Sequence, residues 1–378
     1  MMKCSALLAN MVRTSSPMLA MNVSRGLDAD TKSNMLPTYE GRERLYGTHC
    51  IESVLSTMLK HPSSPMMMAS AGASRGGGYC YHHPMRREGG KPHLYVWNRK
   101  EGLHRKHETE DSALPTKEED VTMSSSSSSN NNVAKLEALG KRLNIPITAV
   151  PRSTLVQLCG DRRHQNVVLE VGSYEPKKIT QFPPTLLLPH NSRAASSNSP
   201  TQQQLVLFLD HIIDPMNLGN ILRSSYFFGV RHIILSSDCC RCTPTVARAS
   251  VGVLETLNVS QLAHGVTASS FLADARKRAD EVGGGLELLA ATAAPTTSAK
   301  LNGSPSTSTT VTRVLILGNE DAGLSPQVIE QCTHSIHIPV LGDPEAAVRG
   351  LSLNVNSACA VLLSHLAHGN PLTSRLKS

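Results

Sequence analysis

Apolar residues recur at two different spacings along this chain, and the change of spacing separates two folded regions. Ile51, Val54, Leu55, Met58 and Leu59 share one helical face, in a pattern that starts near Arg44. Pro92–Trp97 reads as a strand, Val133–Leu143 as an amphipathic helix, and Ile145–Val150 and Gln165–Val171 as further short strands. This alternation predicts a small α/β domain over residues 39–175. Two stretches interrupt it. Residues 62–90 are rich in Pro, Ser, Met and Gly, and residues 99–132 pass from charge runs into the Ser124–Ser129 tract and Asn130–Asn132, so both are expected to be disordered insertions. Residues 176–204, rich in Pro, Ser, Asn and Gln, read as a linker.

Beyond the linker the pattern changes. Leu205–Asp210, Arg231–Leu235, Arg313–Gly318 and Ser335–Val340 are apolar runs of strand length. Helices are predicted over Asn217–Phe228, Thr245–Glu255, Phe271–Val282, Pro326–Cys332 and Leu353–Leu366. Such alternation predicts a parallel sheet covered on both faces over residues 205–370, with a Thr/Ser insertion near 291–312.

Composition adds limits. Only 3% of the 378 residues are aromatic against 40% hydrophobic, so aliphatic side chains must fill the cores. The net charge of +7 favours an anionic partner such as nucleic acid without identifying one. Nine cysteines, an odd count without regular spacing, suggest free thiols in a reducing compartment. The Cys239-Cys240-Arg241-Cys242 cluster lacks a second pair or a His at zinc-finger spacing, so no metal site is predicted. No apolar run reaches the roughly 18 residues of a membrane span. Lys3, Arg13 and Arg25 precede the first acid, Asp28, among several Ser. That is the pattern of an organelle transit peptide, so residues 1–38 are expected to be a transit peptide and disordered start directing the chain to the mitochondrial matrix.

Ligands in open parallel sheets bind beyond the carboxyl ends of strands. Three segments there cluster polar residues beside glycine. In the first, Pro215 shapes a turn, Asn217 can cap the helix, Gly219 permits close backbone approach, and Arg223 lies one helical turn further on. Taken alone this is a capped helix with a surface arginine. The second, Gly318–Pro326, makes a tight loop whose amides can hold a polar cofactor, although no G-x-G-x-x-G follows any strand. In the third, Ile338-Pro339 is followed by Ser352-Leu353-Asn354 at the start of an apolar helix, where Ser352 alone reads as an N-cap.

Together, Asn217-Leu218-Gly219 with Arg223, Gly318-Asn319-Glu320 with Gly323-Leu324-Ser325, and Ile338-Pro339 with Ser352-Leu353-Asn354-Val355 resemble the signature motifs of the SpoU (TrmH-like) family of SPOUT methyltransferases. The closest subgroup is the mitochondrial large-subunit ribosomal RNA methyltransferases. Ala247–Gly252, Leu45-Tyr46-Gly47 and His164-Gln165 are similar to further family elements, whereas Asn166 stands where glycine is more usual and Asn356 departs from the usual Val-Ser-Val-Ala.

The resemblance implies a trefoil-knotted carboxy-terminal domain beside a smaller RNA-recognition domain. It implies S-adenosylmethionine as cofactor, held by Leu317, Gly318, Asn319, Gly323, Ile338, Pro339 and Leu353, and 2′-O-methylation of RNA ribose by Arg223, Asn217, Glu320, Ser352 and Asn354. In the family the arginine matching Arg223 activates the 2′-hydroxyl. A guanidinium with a pKa above about 12 is a poor proton acceptor, so Arg223 is expected to bind phosphate and the developing oxyanion. The implied partners are structured RNA, foremost ribosomal RNA in a large-subunit assembly intermediate, and a second SPOUT domain in a dimer. Two other readings stay open: a catalytically silent RNA-binding assembly factor, and a transfer-RNA 2′-O-methyltransferase.

Overall fold

The computed structural model describes residues 36, 41–60, 87–88, 91–98, 123–160, 162–187, 202–293, 310–340, 342 and 352–368. The expected transit peptide, apart from Leu36, and most of the expected insertions lie outside these residues.

The amino-terminal part builds a five-stranded sheet. Its strands are β1 (Arg42–Tyr46), β2 (Arg87–Glu88), β3 (His93–Trp97), β4 (Ile147–Val150) and β5 (Val167–Tyr174), in the order β1-β5-β3-β4 with β2 also on β5. Helix α1 (Thr48–Lys60) covers one face and packs against α2 (Met123–Arg142), while α3 (Arg152–Cys159) packs on the other side against Tyr46 and Val168. The helical pattern read from Arg44 starts only at Thr48, because Leu45 and Tyr46 pair with Leu169 and Val168 in the sheet. Helix α2 begins at Met123, upstream of the predicted Val133, so residues 123–132 are helical and not a disordered insertion. Val133 and Leu136 anchor its second half in the core, and elongation from a nucleated helix costs little per residue, even through Ser and Asn.

The carboxy-terminal part is a seven-stranded sheet in the order β12-β10-β11-β7-β8-β9-β6, with every pairing parallel. Its strands are β6 (Lys177–Ile179), β7 (Gln202–Leu209), β8 (His232–Leu235), β9 (Asn258–Leu262), β10 (Leu286–Ala291), β11 (Thr310–Leu317) and β12 (His334–Ile336). Helices α4 (Pro215–Phe227), α5 (Pro244–Ala249), α6 (Ala268–Val282), α7 (Pro326–Gln331) and α8 (Val355–His368) flank it. Alternation along the strands explains their apolar sequence. Val206 and Phe208 enter one core with Phe271, Val314 and Ile316, whereas Leu207 and Leu209 enter the other with Leu222, Leu315 and Leu317.

Three expectations change. The linker carries β6, which pairs with β9 at the sheet edge, and a 3₁₀ turn at Pro184–Leu186 that buries Leu186 and Leu187. The helix read over Thr245–Glu255 stops at Ala249, because Val251 and Gly252 turn left-handed (φ 55° and 78°) before a 3₁₀ turn at Val253–Thr256. Strands β9 and β10 have no counterpart in the sequence reading, and β11 starts inside the expected insertion. Residues 341 and 343–351, between β12 and α8, lie outside the described residues, and the described residues do not show the expected knot.

One apolar cluster joins the two sheets: Leu45, Ile51, Val54 and Leu55 belong to the same core as Leu222, Val246 and Leu254. At roughly 1.5–3 kcal/mol per fully buried aliphatic side chain, this shared core holds the two parts in one orientation.

Candidate functional site

The three polar segments converge at the carboxyl ends of β7, β11 and β12. After β7 the chain turns through Asp210–Asp214 into α4. Asp214, not Asn217, is the N-cap: its side chain accepts from the Met216 N–H at 2.8 Å, with Pro215 at the first helical position. Asn217 lies one turn inside the helix, 7% exposed, and is therefore free for another task. Gly219 serves close packing, as expected, but its neighbour is α5: a Cβ there would collide with that of Ala249 and crowd the Val246 carbonyl.

After β11, residues 318–325 fold back on themselves. The Asn319 side chain accepts from the amides of Asp321 (3.0 Å) and Ala322 (3.1 Å) and donates to the His211 carbonyl (3.0 Å), tying the loop to the segment after β7. Gly323 adopts φ +68°, and a Cβ on Gly318 would collide with the Gly323 carbonyl, so the tight return needs both glycines. Ser325 then caps α7. In the third segment, Asn354 rather than Ser352 caps α8, accepting from the Asn356 N–H at 2.9 Å.

A cavity of about 360 Å³ opens between these segments. Leu317, Gly318, Asn319, Gly323, Ile338, Pro339 and Leu353 all line it, as do Glu320 and Ser352, together with Thr292, Val355 and Leu362. At its edge Asn217 donates to Glu320 Oε1 and receives at Oδ1 the side-chain N–H of Asn354 (3.2 Å) and of Asn356 (3.0 Å). Asn217 thereby clamps a carboxylate from one segment and two amides from another. Asn356 is the member the sequence reading did not select, although its unusual identity marked it.

Arg223 is not brought into the cavity. It is exposed on α4, along a stripe with Met216 (50% exposed) and Phe227 (81%), and among the described residues no acceptor engages its guanidinium. Gly219, one turn before Arg223, is buried against α5, so the two positions flank the edge of that contact and the longer side chain runs out to solvent. In the cysteine cluster Cys239 and Cys242 are buried and Cys240 is half-buried: Cys239 Sγ donates to the Leu209 carbonyl, and desolvation pushes the Cys240 thiol up to about 12 and Cys242 further in the same direction. No group of metal-binding side chains exists among the described residues, and no helix there is long and apolar enough to cross a membrane.

A seven-stranded parallel sheet with an apolar cavity walled by loops at its carboxyl edge defines an α/β protein with a small-molecule site at the strand ends. Residues 204–364 match the SpoU rRNA methylase family, and residues 120–177 match the RNA 2′-O ribose methyltransferase substrate-binding domain. The mitochondrial rRNA methyltransferase 1 of Schizosaccharomyces pombe is 30% identical over 240 residues, covering 59% of this chain and 75% of that protein. The human mitochondrial rRNA methyltransferase 1 is 28% identical over 231 residues, which is 61% of each chain. The crystal structure of the SpoU methyltransferase AviRb from Streptomyces viridochromogenes in complex with AdoMet superposes with a TM-score of 0.52 at 16% identity, over 91% of this chain and 98% of that one. An AdoMet-bound rRNA methyltransferase from Sinorhizobium meliloti gives 0.51 at 15%, over 88% of each chain. The chain belongs to the SpoU family of RNA methyltransferases.

Proposed function

We propose that this chain transfers a methyl group from S-adenosylmethionine to a ribose 2′-oxygen of mitochondrial large-subunit ribosomal RNA. One observation carries the reading: the seven residues expected from sequence to hold the cofactor all line one cavity, and the Asn217–Glu320–Asn354 cluster borders it. The cavity suits the group. Its volume of about 360 Å³ lies in the range of small-molecule sites, with apolar walls for a nucleobase and loop backbone at Gly318–Gly323 for polar edges. When bound, S-adenosylmethionine supplies an electrophilic methyl group.

The chain's own residues do the rest. Asn217 fixes Glu320, whose other carboxylate oxygen has no donor among the described residues and is open to one from the cavity. Asn354 caps the start of α8, and Ser352 lines the cavity beside it. Arg223, with no acceptor among the described residues, offers a planar set of donors to an RNA phosphate and to the oxyanion that develops as the 2′-hydroxyl reacts. Positioning is the larger contribution, since good orientation removes roughly 7–11 kcal/mol of barrier.

The exposed stripe around Arg223 supports a dimer. Ile213 (62% exposed), Met216 and Phe227 leave apolar surface on and just before α4 that a second copy of the chain would cover. Arg223 then lies at a subunit boundary. The mitochondrial location and the ribosomal substrate rest on what the fission-yeast and human relatives are named for.

Calorimetry with S-adenosylmethionine, followed by transfer of a labelled methyl group to ribosomal RNA and digestion to nucleosides, tests the reading. The expected product is a 2′-O-methylnucleoside at one position. RNA binding without cofactor binding at millimolar concentration would instead establish the silent assembly factor, and labelling of transfer RNA alone would move the substrate.

A further inference from the structure

Three segments with no part in the cavity above, Leu45-Tyr46-Gly47, His164-Gln165 and Ala247–Gly252, meet at a single joint between the two sheets. Arg248 on α5 reaches across. Its Nη1 donates to the carbonyls of Tyr46 (3.4 Å) and Arg163 (3.2 Å), and its guanidinium lies 5.1 Å from the centre of the Tyr46 ring. Gly47 makes room for it: φ is +92°, and a Cβ would collide with Arg248 Nη1. Gln165 accepts the Thr48 N–H at Oε1 (2.9 Å), tying the start of α1 to the loop, and Asn166 donates its N–H to His164 Nδ1 (3.0 Å). Gln165 and Asn166 both adopt left-handed backbone (φ 52° and 65°), which curls residues 162–166 around a pocket of about 440 Å³.

The pocket has a marked sign. Arg152, Arg162 and Arg163 line it and Arg248 adjoins it, and among the described residues no carboxylate pairs with any of these four. Burial and, next, the Arg152 charge hold His164 below the usual imidazole range, so this ring adds no charge but leaves the arginine field uncompensated. Among the described residues no Phe, Tyr or Trp lines the pocket, and the adjoining Tyr46 is buried and taken up by the guanidinium groups of Arg162 and Arg248, so it gives no platform for stacking a base. Guanidinium groups without a paired carboxylate, around a pocket without a stacking surface, suit a phosphate, not a nucleobase.

We propose that this pocket grips a backbone phosphate of the substrate RNA, and that Arg248 holds the grip in fixed register with the catalytic cavity. The register follows from packing. Arg248 belongs to α5, α5 sits on Gly219 of α4, and α4 carries Asn217 and Arg223. A phosphate held at residues 162–166 thus fixes where the RNA enters the site. The identity of the polyanion as RNA rests on the methyltransferase reading; the phosphate chemistry does not.

The experiment measures binding of the full chain to a stem-loop RNA by fluorescence anisotropy across a salt series. Arg152→Ala with Arg163→Ala is expected to weaken binding and to lower the slope of log Kd against log salt by about one for each phosphate no longer neutralised. Arg152→Lys with Arg163→Lys keeps the charge and most of the slope. Arg276→Ala with Lys277→Ala, which removes two exposed charges from α6, leaves the slope unchanged. Equal losses in the 152/163 and 276/277 variants, an unaltered slope in the first, or competition by polyglutamate as effective as by RNA would each overturn the proposal. Calorimetry with S-adenosylmethionine on the same proteins separates the two failures. If the wild type binds RNA but no cofactor, the methyltransferase reading falls, and the salt series still decides the phosphate site.

Discussion

Arg87 and Glu255 face each other across the boundary between the two sheets, with Nη2 2.8 Å from Oε1 and both side chains fully buried. Arg87 also donates to Glu43 and to the Gly172 carbonyl, both at 3.0 Å, on its own side. The amino-terminal sheet is therefore attached to the methyltransferase domain by a desolvated ion pair set in a shared apolar core.

Removing one member strands the other. Glu255→Gln is expected to lower unfolding stability by about 3–5 kcal/mol, because a buried guanidinium loses its main counter-charge. Arg87→Met with Glu255→Leu recovers most of that loss. Burial already pushes the Glu43 carboxyl above its usual range, so it goes neutral readily once Arg87 is gone. Urea unfolding of the three proteins checks this; a single variant as stable as wild type would show that the pair does not hold the boundary.

Asn217 is the junction of the cavity's edge, and its amide is needed in one orientation. Asn217→Asp replaces the N–H that Glu320 accepts with a carboxylate, so the two repel and Glu320 leaves its position. Methyl transfer at saturating cofactor is expected to fall about 100-fold, the size of effect that misplacement by about 1 Å produces, with little change in melting temperature. Asn356→Ser, which restores the more usual family residue, removes only one of two donors to Asn217 Oδ1 and is expected to cost less than about 1 kcal/mol of transition-state binding. Steady-state kinetics of both variants separates the clamp from a merely structural role.

The cavity was legible from sequence where a loop needs particular residue types at fixed spacing. Gly318, Asn319 and Gly323 each meet a local demand, a close approach, an Asx-type anchor and a positive φ, and no other residue types meet all three. Strands were legible only where β-branched or long aliphatic runs announced them. Leu286–Ala291, Leu-Glu-Leu-Leu-Ala-Ala, has the composition of a helix, yet it lies between β11 and β12, where Glu287 pairs with Arg313 at 2.8 Å. Asn258–Leu262, Asn-Val-Ser-Gln-Leu, has only two aliphatic residues, Val259 and Leu262, which enter opposite cores, so no apolar run announces the strand. Arg223 was singled out by its motif alone, and helix spacing does not say that its side chain stays exposed outside the cavity.

Two glycines should resist substitution for different reasons. Gly219→Ala gains about 1 kcal/mol of helix propensity but drives a methyl into Ala249, and overpacking costs about 1–3 kcal/mol, so the net effect is destabilising and tilts α4 away from α5. Gly47→Ala meets both a φ of +92° and the Arg248 guanidinium. Its expected signature is a loss of the joint: faster proteolysis between the two sheets and weaker RNA binding, with cofactor binding by calorimetry unchanged. A Gly47→Ala protein that binds RNA as wild type does would show that Arg248 plays no part in the joint.

Four histidines, His93, His164, His232 and His365, make the fold acid-sensitive. Burial, then the Arg152 charge, holds His164 below its ordinary value of 6.5, and burial shifts His93, His232 and His365 the same way. Above that value both folded and unfolded chains carry neutral rings, and pH has no effect through them. Below it the unfolded chain takes up protons that the folded one refuses, so stability falls as the solution is acidified toward the depressed values. The urea midpoint is expected to drop between about pH 7 and pH 5. Arg152→Ala removes the second cause at His164, lets that ring protonate nearer its ordinary value in the fold, and shallows the drop. Histidine resonances followed by NMR assign the change, and a His164 that titrates identically in the two proteins would show that the Arg152 charge does not reach the pocket.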